Sequence, residues 1–152
     1  MKNSLIKIKS KPKLWHCYNS RSLRALWTLE ELGIDYDVET MTFPPRYTVE
    51  KYKEVNSLGT VPFFVDGENS EIQMTESVAI CHYLGEKYQS KNNLILSVAD
   101  SDYGDYLNWL YHSDATLTFP QTLVFRYRTF AGKGYTQQQT ADDYDAWFAA
   151  RL

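Results

Sequence analysis

The polar pair Glu76 and Ser77 stands where a helix is predicted to begin, just before an apolar-patterned segment that runs to Leu84. The first amides of a helix have no partner within it, and the helix dipole is positive at that end, so this position suits a carboxylate ligand. The competing interpretation is an ordinary helix cap with an acidic residue beside it. Taken alone, the pair favours the cap.

The Val61-Pro62 step is a second candidate, because an irregular segment enters a predicted strand there. A cis peptide bond would turn the preceding backbone outward, so that Val61 could pair with an extended peptide ligand. A proline at the first position of a strand is also ordinary, and alone the step favours that interpretation. A third candidate is the turn that contains Asn19, Ser20 and Ser22, between a predicted strand and a helix that either serine could cap.

The cysteine and histidine residues form no metal or disulfide pattern. Cys17 and Cys81 are far apart and lack a CxxC arrangement, and the histidines His16, His82 and His112 share no spacing. We therefore predict no metal site, a buried and inert Cys17 thiol, histidines that pack or lie at the surface, and a reducing, cytoplasmic compartment.

The elements that must position these residues alternate between strand and helix in the first half. The predicted order is β-α-β-α-β-β-α, from the segments 13–18, 20–32, 34–39, 48–55, 61–65, 71–74 and 75–88. The expected core stripes are Leu23, Leu26, Trp27, Leu29 and Leu32 in the first long helix, and Ile80, Tyr83, Leu84 and Tyr88 in the last.

Beyond a predicted linker, the second half has a helical pattern only. Tyr103, Tyr106, Leu107, Leu110 and Tyr111 form one stripe, and Pro120 is expected to end or kink that helix. A last helix is predicted from Thr136, which forms a capping-box pattern with Gln139.

Three motifs in this order resemble the glutathione transferase superfamily: NSRSLRALWTLEELGIDYDV (19–38), NSLGTVPFFVDG (56–67) and MTESVAICHYL (74–84). The resemblance implies an α+β fold, with a thioredoxin-like N-terminal domain followed by a partial all-α C-terminal domain. The expected division is a basic leader at 1–12, a glutathione-binding domain at 13–88, a linker at 89–99 and the partial helical domain at 100–152.

The resemblance also implies roles for the candidate residues toward glutathione. Ser77 would bind the γ-glutamyl carboxylate, Glu76 would lie near its amine, and Thr60, Val61 and Pro62 would face the peptide backbone. Thr60 stands where many relatives carry lysine, so one anchoring charge is absent there.

The family places the group that stabilises the glutathione thiolate in the turn after the first strand. Ser20 is the preferred candidate, with Asn19 as its assistant, Ser22 as an alternative and Arg21 as an electrostatic helper. Relatives that use tyrosine or cysteine are matched less well, since Tyr18 comes too late and Cys17 falls inside the strand.

The implied reaction is attack by the glutathione thiolate on a small apolar electrophile in a homodimer. Aromatic side chains of the second half that could line the electrophile pocket are Phe119, Phe125, Tyr127 and Phe130. Two alternatives remain open: a non-catalytic protein-interaction module, and a glutathione-dependent disulfide or peroxide reductase.

Composition and charge restrict the other classes of function. The chain has 152 residues, of which 43% are hydrophobic and 15% aromatic, so we expect a folded protein. A net charge of -3 disfavours nucleic acid as a partner, and no apolar run is long enough for a signal peptide or a membrane helix. The apolar pattern still continues at WFAARL, which suggests either a fragment or a short gene product whose exposed stripes favour dimerisation.

Overall fold

The computed structural model describes residues 10–88, 93–130 and 137–152. They fall into two compact units, one ending at Ile95 and the other running from Leu96 to Leu152. The boundary lies within the predicted linker. Most of the predicted basic leader and the predicted cap at Thr136 lie outside the described residues.

A mixed sheet organises the first unit. In its described part, the strands are β1 (Lys13–Cys17), β2 (Asp37–Met41), β3 (Phe63–Val65) and β4 (Gln73–Met74), in the spatial order β2-β1-β3-β4. β1 and β2 are parallel, and Lys13 lies opposite Asp37. β3 runs antiparallel to β1 with Trp15 opposite Phe63, and β4 runs antiparallel to β3. This is the predicted thioredoxin-like arrangement.

The helices of this unit are α1 (Ser22–Glu31), α2 (Pro45–Thr48), α3 (Tyr52–Val55) and α4 (Ser77–Lys87). Because neighbouring strand residues point to opposite faces, Leu14 and Trp15 belong to different cores. The core beneath α1 and α4 contains Leu14, Ala25, Leu29, Leu32, Phe64, Ile80 and Leu84. The core on the other face contains Trp15, Cys17, Met41, Tyr52, Val61 and Phe63.

The start of the second strand and the buried stripe of α1 differ from the prediction. The second strand begins at Asp37, whose amide donates to the Pro12 carbonyl at 2.8 Å, while Ile34 and Tyr36 pack against the α1–α4 core from the preceding loop. Leu23 and Trp27 are 56% and 64% exposed, so they do not belong to the buried stripe of α1. Leu29 is buried as predicted, and the other buried residues of α1 are the small residues Ser22 and Ala25, which let α1 lie close to the sheet.

The predicted helix at 48–55 is divided into α2 and α3. Lys51, which precedes α3, has a left-handed backbone with φ of 63°, so one continuous helix cannot pass through it. This interruption places Tyr52 at the start of α3, where its side chain is buried in the second core.

All the regular secondary structure in the described residues of the second unit is helical. A continuous run comprises α5 (Tyr103–Tyr111), a π-helical segment (His112–Thr118), α6 (Phe119–Phe125) and a second π-helical segment (Arg126–Phe130), and α7 is Gln138–Ala149. Pro120 does not end the helix. Proline has no amide proton to donate, and its ring crowds the preceding turn of a helix. The wider π-helical turn before Pro120 leaves room for that ring. None of the described helices is long and apolar enough to cross a membrane.

Candidate functional site

The three candidate segments meet at one edge of the sheet. β1 ends at Cys17, just before the turn that contains Ser20. Because β3 runs antiparallel to β1, its start after Val61-Pro62 lies at the same edge. β4 runs antiparallel to β3 and therefore ends at this edge too, where α4 begins at Ser77. The topology thus gathers segments that are up to about sixty positions apart along the chain.

The N-terminus of α4 has no side-chain cap. Glu76 has an extended backbone and is exposed, and the first backbone bond of the helix runs from the Ile80 amide to the Glu76 carbonyl at 2.9 Å. Within the described residues, no backbone group accepts the amides of Ser77, Val78 or Ala79. The cap interpretation therefore does not describe this helix, and its positive end suits an anion.

Arg24 of α1 reaches this helix end, with its Nη1 donating to Ser77 Oγ at 3.2 Å. The serine hydroxyl accepts from the guanidinium, so its own proton remains available to donate to a ligand oxygen. The guanidinium adds a full positive charge to the partial charge of the helix dipole. Arg24 was not predicted as a site residue, because no local pattern links it to a residue 53 positions away.

Val61 and its preceding loop form the second part of the site. The Val61-Pro62 bond is cis, as predicted, and Val61 is buried. In the part of the chain that the structure describes, the amide and carbonyl of Val61 make no backbone hydrogen bond outside the regular strands, and Val61 lies outside β3. Its backbone groups can therefore pair with an extended ligand.

The loop before Val61 is held by two side chains that sequence analysis also missed. The Thr60 carbonyl accepts from the Tyr52 hydroxyl at 2.8 Å and from Asn56 Nδ2 at 2.9 Å. Burial raises the pKa of Tyr52, which keeps its phenol protonated as a donor. Gly59 has φ of 61° and lies against Arg46, so the close turn leaves no room for a side chain. Tyr52 and Asn56 are four positions apart, about one helical turn, and this spacing is the sequence pattern that could have indicated that both side chains reach the same loop.

The turn after β1 contains a chain of hydroxyl groups. Ser20 Oγ donates to the Cys17 carbonyl at 2.8 Å and lies 2.6 Å from Ser22 Oγ, which in turn lies 2.8 Å from His16 Nδ1. Ser22 is fully buried, whereas Ser20 is partly exposed. A ligand sulfur can therefore approach Ser20 but not Ser22.

Several known proteins are similar to this chain in sequence or in fold. The family model described as "Glutathione S-transferase, N-terminal domain" matches residues 20–87. The chain belongs to the glutathione S-transferase superfamily.

Glutathione S-transferase 3 of Schizosaccharomyces pombe is 30% identical over 107 residues, which cover 68% of this chain and 41% of that relative. Glutathione S-transferase F9 of Arabidopsis thaliana is 32% identical over 101 residues, covering 66% of this chain and 45% of that relative. The matched part of this chain thus spans less than half the length of each of these transferases.

Solved structures share the fold at lower identity. Ure2p in complex with glutathione superposes with a TM-score of 0.76 at 19% identity, covering 94% of this chain and 65% of that chain. The glutathione transferase URE2P8 from Phanerochaete chrysosporium, solved with oxidized glutathione, gives a TM-score of 0.76 at 17% identity, covering 93% of this chain and 64% of that chain. Both named neighbours bind a form of glutathione.

The other candidate residues differ in their exposure to solvent. Asn19 is exposed with a left-handed φ of 55°, Arg21 is exposed, and the Tyr18 side chain is 74% exposed. The predicted burial of Cys17 is confirmed, and burial raises the pKa of both Cys17 and Cys81.

The aromatic residues predicted to line an electrophile pocket lie in the second unit. Phe119 and Phe125 are 51% and 44% exposed, Tyr127 is partly buried, and the Phe130 side chain lies outside the described residues. The Phe119 ring meets Tyr144 edge-on with centroids 6.1 Å apart. The exposed rings of Phe119 and Phe125 are therefore accessible to an apolar molecule.

Proposed function

We propose that this protein binds glutathione and promotes attack of the glutathione thiolate on a small apolar electrophile. The observation that carries the proposal is the sheet edge at which an uncapped helix end, an unpaired Val61 backbone and the Ser20 hydroxyl come together. These groups match the three chemical parts of the tripeptide, which are a γ-glutamyl carboxylate, a peptide backbone and a thiol.

The γ-glutamyl end would bind at α4. Its carboxylate accepts from the Ser77 hydroxyl and amide, and the exposed Glu76 lies near its amine. Arg24 orients Ser77 through the 3.2 Å contact and strengthens the local positive potential. Thr60, Val61 and Pro62 face the peptide backbone, with the loop held by Tyr52 and Asn56.

The thiol would lie at the turn after β1. When the bound thiol loses its proton to solvent, the Ser20 hydroxyl turns from the Cys17 carbonyl and donates to the anionic sulfur, assisted by Asn19 and by the charge of Arg21. Because this bond favours the thiolate over the thiol, it lowers the thiol pKa. The sulfur lone pair then forms the bond to the electrophilic carbon as the leaving group departs.

Calorimetric titration with glutathione tests the binding step. Replacing Ser77 by Ala is expected to weaken binding by about 1–2 kcal/mol, the scale of one hydrogen bond to a charged group. Ser70→Ala, in the exposed β3–β4 turn, is the matched control and should bind as the wild type does. Equal affinity in both variants would remove Ser77 from the site.

The pH dependence of conjugation tests the sulfur step. Ser20→Ala should lower the rate at neutral pH and spare it at alkaline pH, with nearly unchanged glutathione affinity, because the hydroxyl acts on the charged form only. Asn19→Ala, measured in parallel, assigns the role to Asn19 if it alone shows this signature. If both variants lose the conjugation rate equally at the two pH values, neither residue stabilises the thiolate. Binding without conjugation at any pH would support the non-catalytic alternative.

The homodimer and the cytoplasmic location are part of the same proposal. Exposed aromatic side chains in the second unit support self-association; they include Trp109, Tyr111, Phe119 and Trp147. The unpaired state of both cysteines supports a reducing compartment. Sedimentation at micromolar concentration should give twice the monomer mass of 17.7 kDa, and a species of 17.7 kDa would contradict the dimer.

A further inference from the structure

We propose that His16 is a positioning residue for Ser20, acting through the Ser22 hydroxyl to fix the direction of a hydrogen-bond chain that ends at the glutathione sulfur. This inference rests on the proposed function. The sequence indicates only a packing or surface role for His16, and in the structure the Ser22 hydroxyl lies between His16 and Ser20.

The contacts form a continuous chain. His16 Nδ1 lies 2.8 Å from Ser22 Oγ, and Ser22 Oγ lies 2.6 Å from Ser20 Oγ. The Ser22 amide also donates to Ser20 Oγ at 3.3 Å, and Ser22 Oγ accepts from the Cys17 amide at 3.2 Å. His16 and Ser22 are 3% and 0% exposed, so water does not compete for these bonds.

Counting protons shows why the imidazole matters. Each serine hydroxyl has one proton, whereas a neutral imidazole can either donate or accept at Nδ1. If Nδ1 donates to Ser22, the Ser22 proton goes to Ser20, and Ser20 then accepts both the hydroxyl and the amide of Ser22. Its own proton can only point away from the chain, toward the Cys17 carbonyl or toward a bound sulfur.

An anionic sulfur favours this one-way order, because hydrogen bonds that point in one direction polarise each other. If His16 is replaced by an apolar residue, the Ser22 hydroxyl no longer accepts a hydrogen bond from the imidazole. Its proton can then turn to the Cys17 carbonyl at 3.3 Å. Ser20 then loses an incoming bond and becomes a weaker donor to the sulfur. The chain thus links a buried imidazole to the acidity of a ligand that it does not touch.

The effect depends on bond direction rather than on the charge of His16. Burial lowers the pKa of His16, so its ring is neutral at physiological pH, and in the described residues no charged side chain contributes to that shift. The other ionisable residues on β1, on β2, on α1 and in the turn between β1 and α1 are Lys13, Cys17, Tyr18, Arg21, Arg24, Glu30, Glu31, Asp37 and Glu39. The Tyr18 ring meets His16 edge-on with centroids 5.5 Å apart.

The test is the pKa of the bound glutathione thiol, measured on the full chain from the ultraviolet absorbance of the thiolate as pH is varied. His16→Leu removes the hydrogen bond and should raise this pKa by about 0.5 units, roughly a threefold loss of thiolate near neutral pH. His16→Asn, whose amide occupies the δ position, should restore the wild-type value. Glutathione affinity at acidic pH should stay within about twofold in both variants.

A double variant tests whether the effect passes through Ser20. Combining His16→Leu with Ser20→Ala should raise the thiol pKa no further than Ser20→Ala alone. Additive shifts, or an Asn variant that behaves like the Leu variant, would overturn the positioning role. If the Leu variant does not fold, His16→Gln replaces it, because its amide reaches the ε position. Equal values for the Gln and Asn variants would then refute the inference.

The outcomes separate this inference from the proposed function. If the wild-type chain does not bind glutathione, or if Ser20→Ala leaves the thiol pKa unchanged, both the proposed sulfur site and this inference are wrong. A shift in Ser20→Ala with none in the His16 variants overturns the inference alone.

Discussion

The ion pair between Lys87 and Asp66 offers a direct test of how the β3–β4 turn is held against α4. The Asp66 side chain is 0% exposed and Lys87 is 22% exposed, and the Lys87 ammonium also lies 3.3 Å from Glu68. The Asp66 carboxylate accepts from the Tyr83 hydroxyl and from the amides of Glu68 and Asn69, at 2.7 and 3.3 Å for the amides. Lys87→Met keeps most of the apolar part of the side chain and removes its charge.

The expected cost follows from this burial. Breaking a buried ion pair costs about 3–5 kcal/mol, because the remaining charge is desolvated without a counter-charge. Asp66 would keep three donors, and Lys87 is partly exposed, so we expect about 2–3 kcal/mol less free energy of unfolding at pH 7.

The same cost should depend on pH in a defined direction. Burial raises the pKa of Asp66, but hydrogen bonds from Lys87, Tyr83 and two amides outweigh it and bring the pKa below the ordinary 3.8. A carboxyl group with a depressed pKa stabilises the fold above its unfolded pKa, and this stabilisation is lost as pH falls through the folded pKa. Lys87 has a raised pKa, so its own contribution is lost only at strongly alkaline pH. The cost of Lys87→Met should therefore shrink below pH 4.

Urea unfolding followed by circular dichroism, at pH 7 and pH 3, measures both quantities. Lys11→Met is the control, because Lys11 pairs with Asp35 at 2.9 Å in an exposed bridge, and its urea midpoint should stay close to that of the wild type. A cost below about 0.5 kcal/mol at pH 7, or one that is as large at pH 3, would refute the argument.

Two further predictions concern the positioning of the site. Gly59→Ala should lower the free energy of unfolding by about 2 kcal/mol or more and weaken glutathione binding, because its Cβ would lie 2.6 Å from Arg46 Cβ. The control is Gly33→Ala, since Gly33 has φ of 64° but open space around it. This control should lower the free energy of unfolding by about 1 kcal/mol and leave binding unchanged. Equal effects in urea titration would show that sterics at Gly59 do not matter. Arg24→Met should reduce glutathione affinity severalfold in calorimetry, and its effect should not add to that of Ser77→Ala, since one contact joins them. Full additivity would mean that Arg24 does not act through Ser77.

Local patterns in the sequence were enough for much of this protein. The order of the four strands, the burial of Cys17, the α4 stripe around Ile80 and Leu84, and the cis bond at Val61-Pro62 were all predicted and are confirmed. Each depends on residue types and spacing within a short window, where apolar periodicity and turn residues act directly on the backbone.

The predictions that failed in detail depended on a distant partner. The second strand starts at Asp37 because β1 sets its register, and Pro12 accepts its first amide. Leu23 and Trp27 have the periodicity of a core stripe, yet Ser22 and Ala25 join the predicted Leu29 in the buried face of α1. Periodicity identifies an amphipathic helix, but packing against the sheet selects its face.

By itself, the sequence determined which segments form the proposed glutathione site: the Ser20 turn, the Val61-Pro62 entry and the start of α4. Only the tertiary structure decided that Ser22 is buried, that Arg24 donates to Ser77, and that His16 lies next to Ser22. The physical reason is that these roles depend on burial and on distances of about 3 Å between different elements, and chain spacing does not encode either.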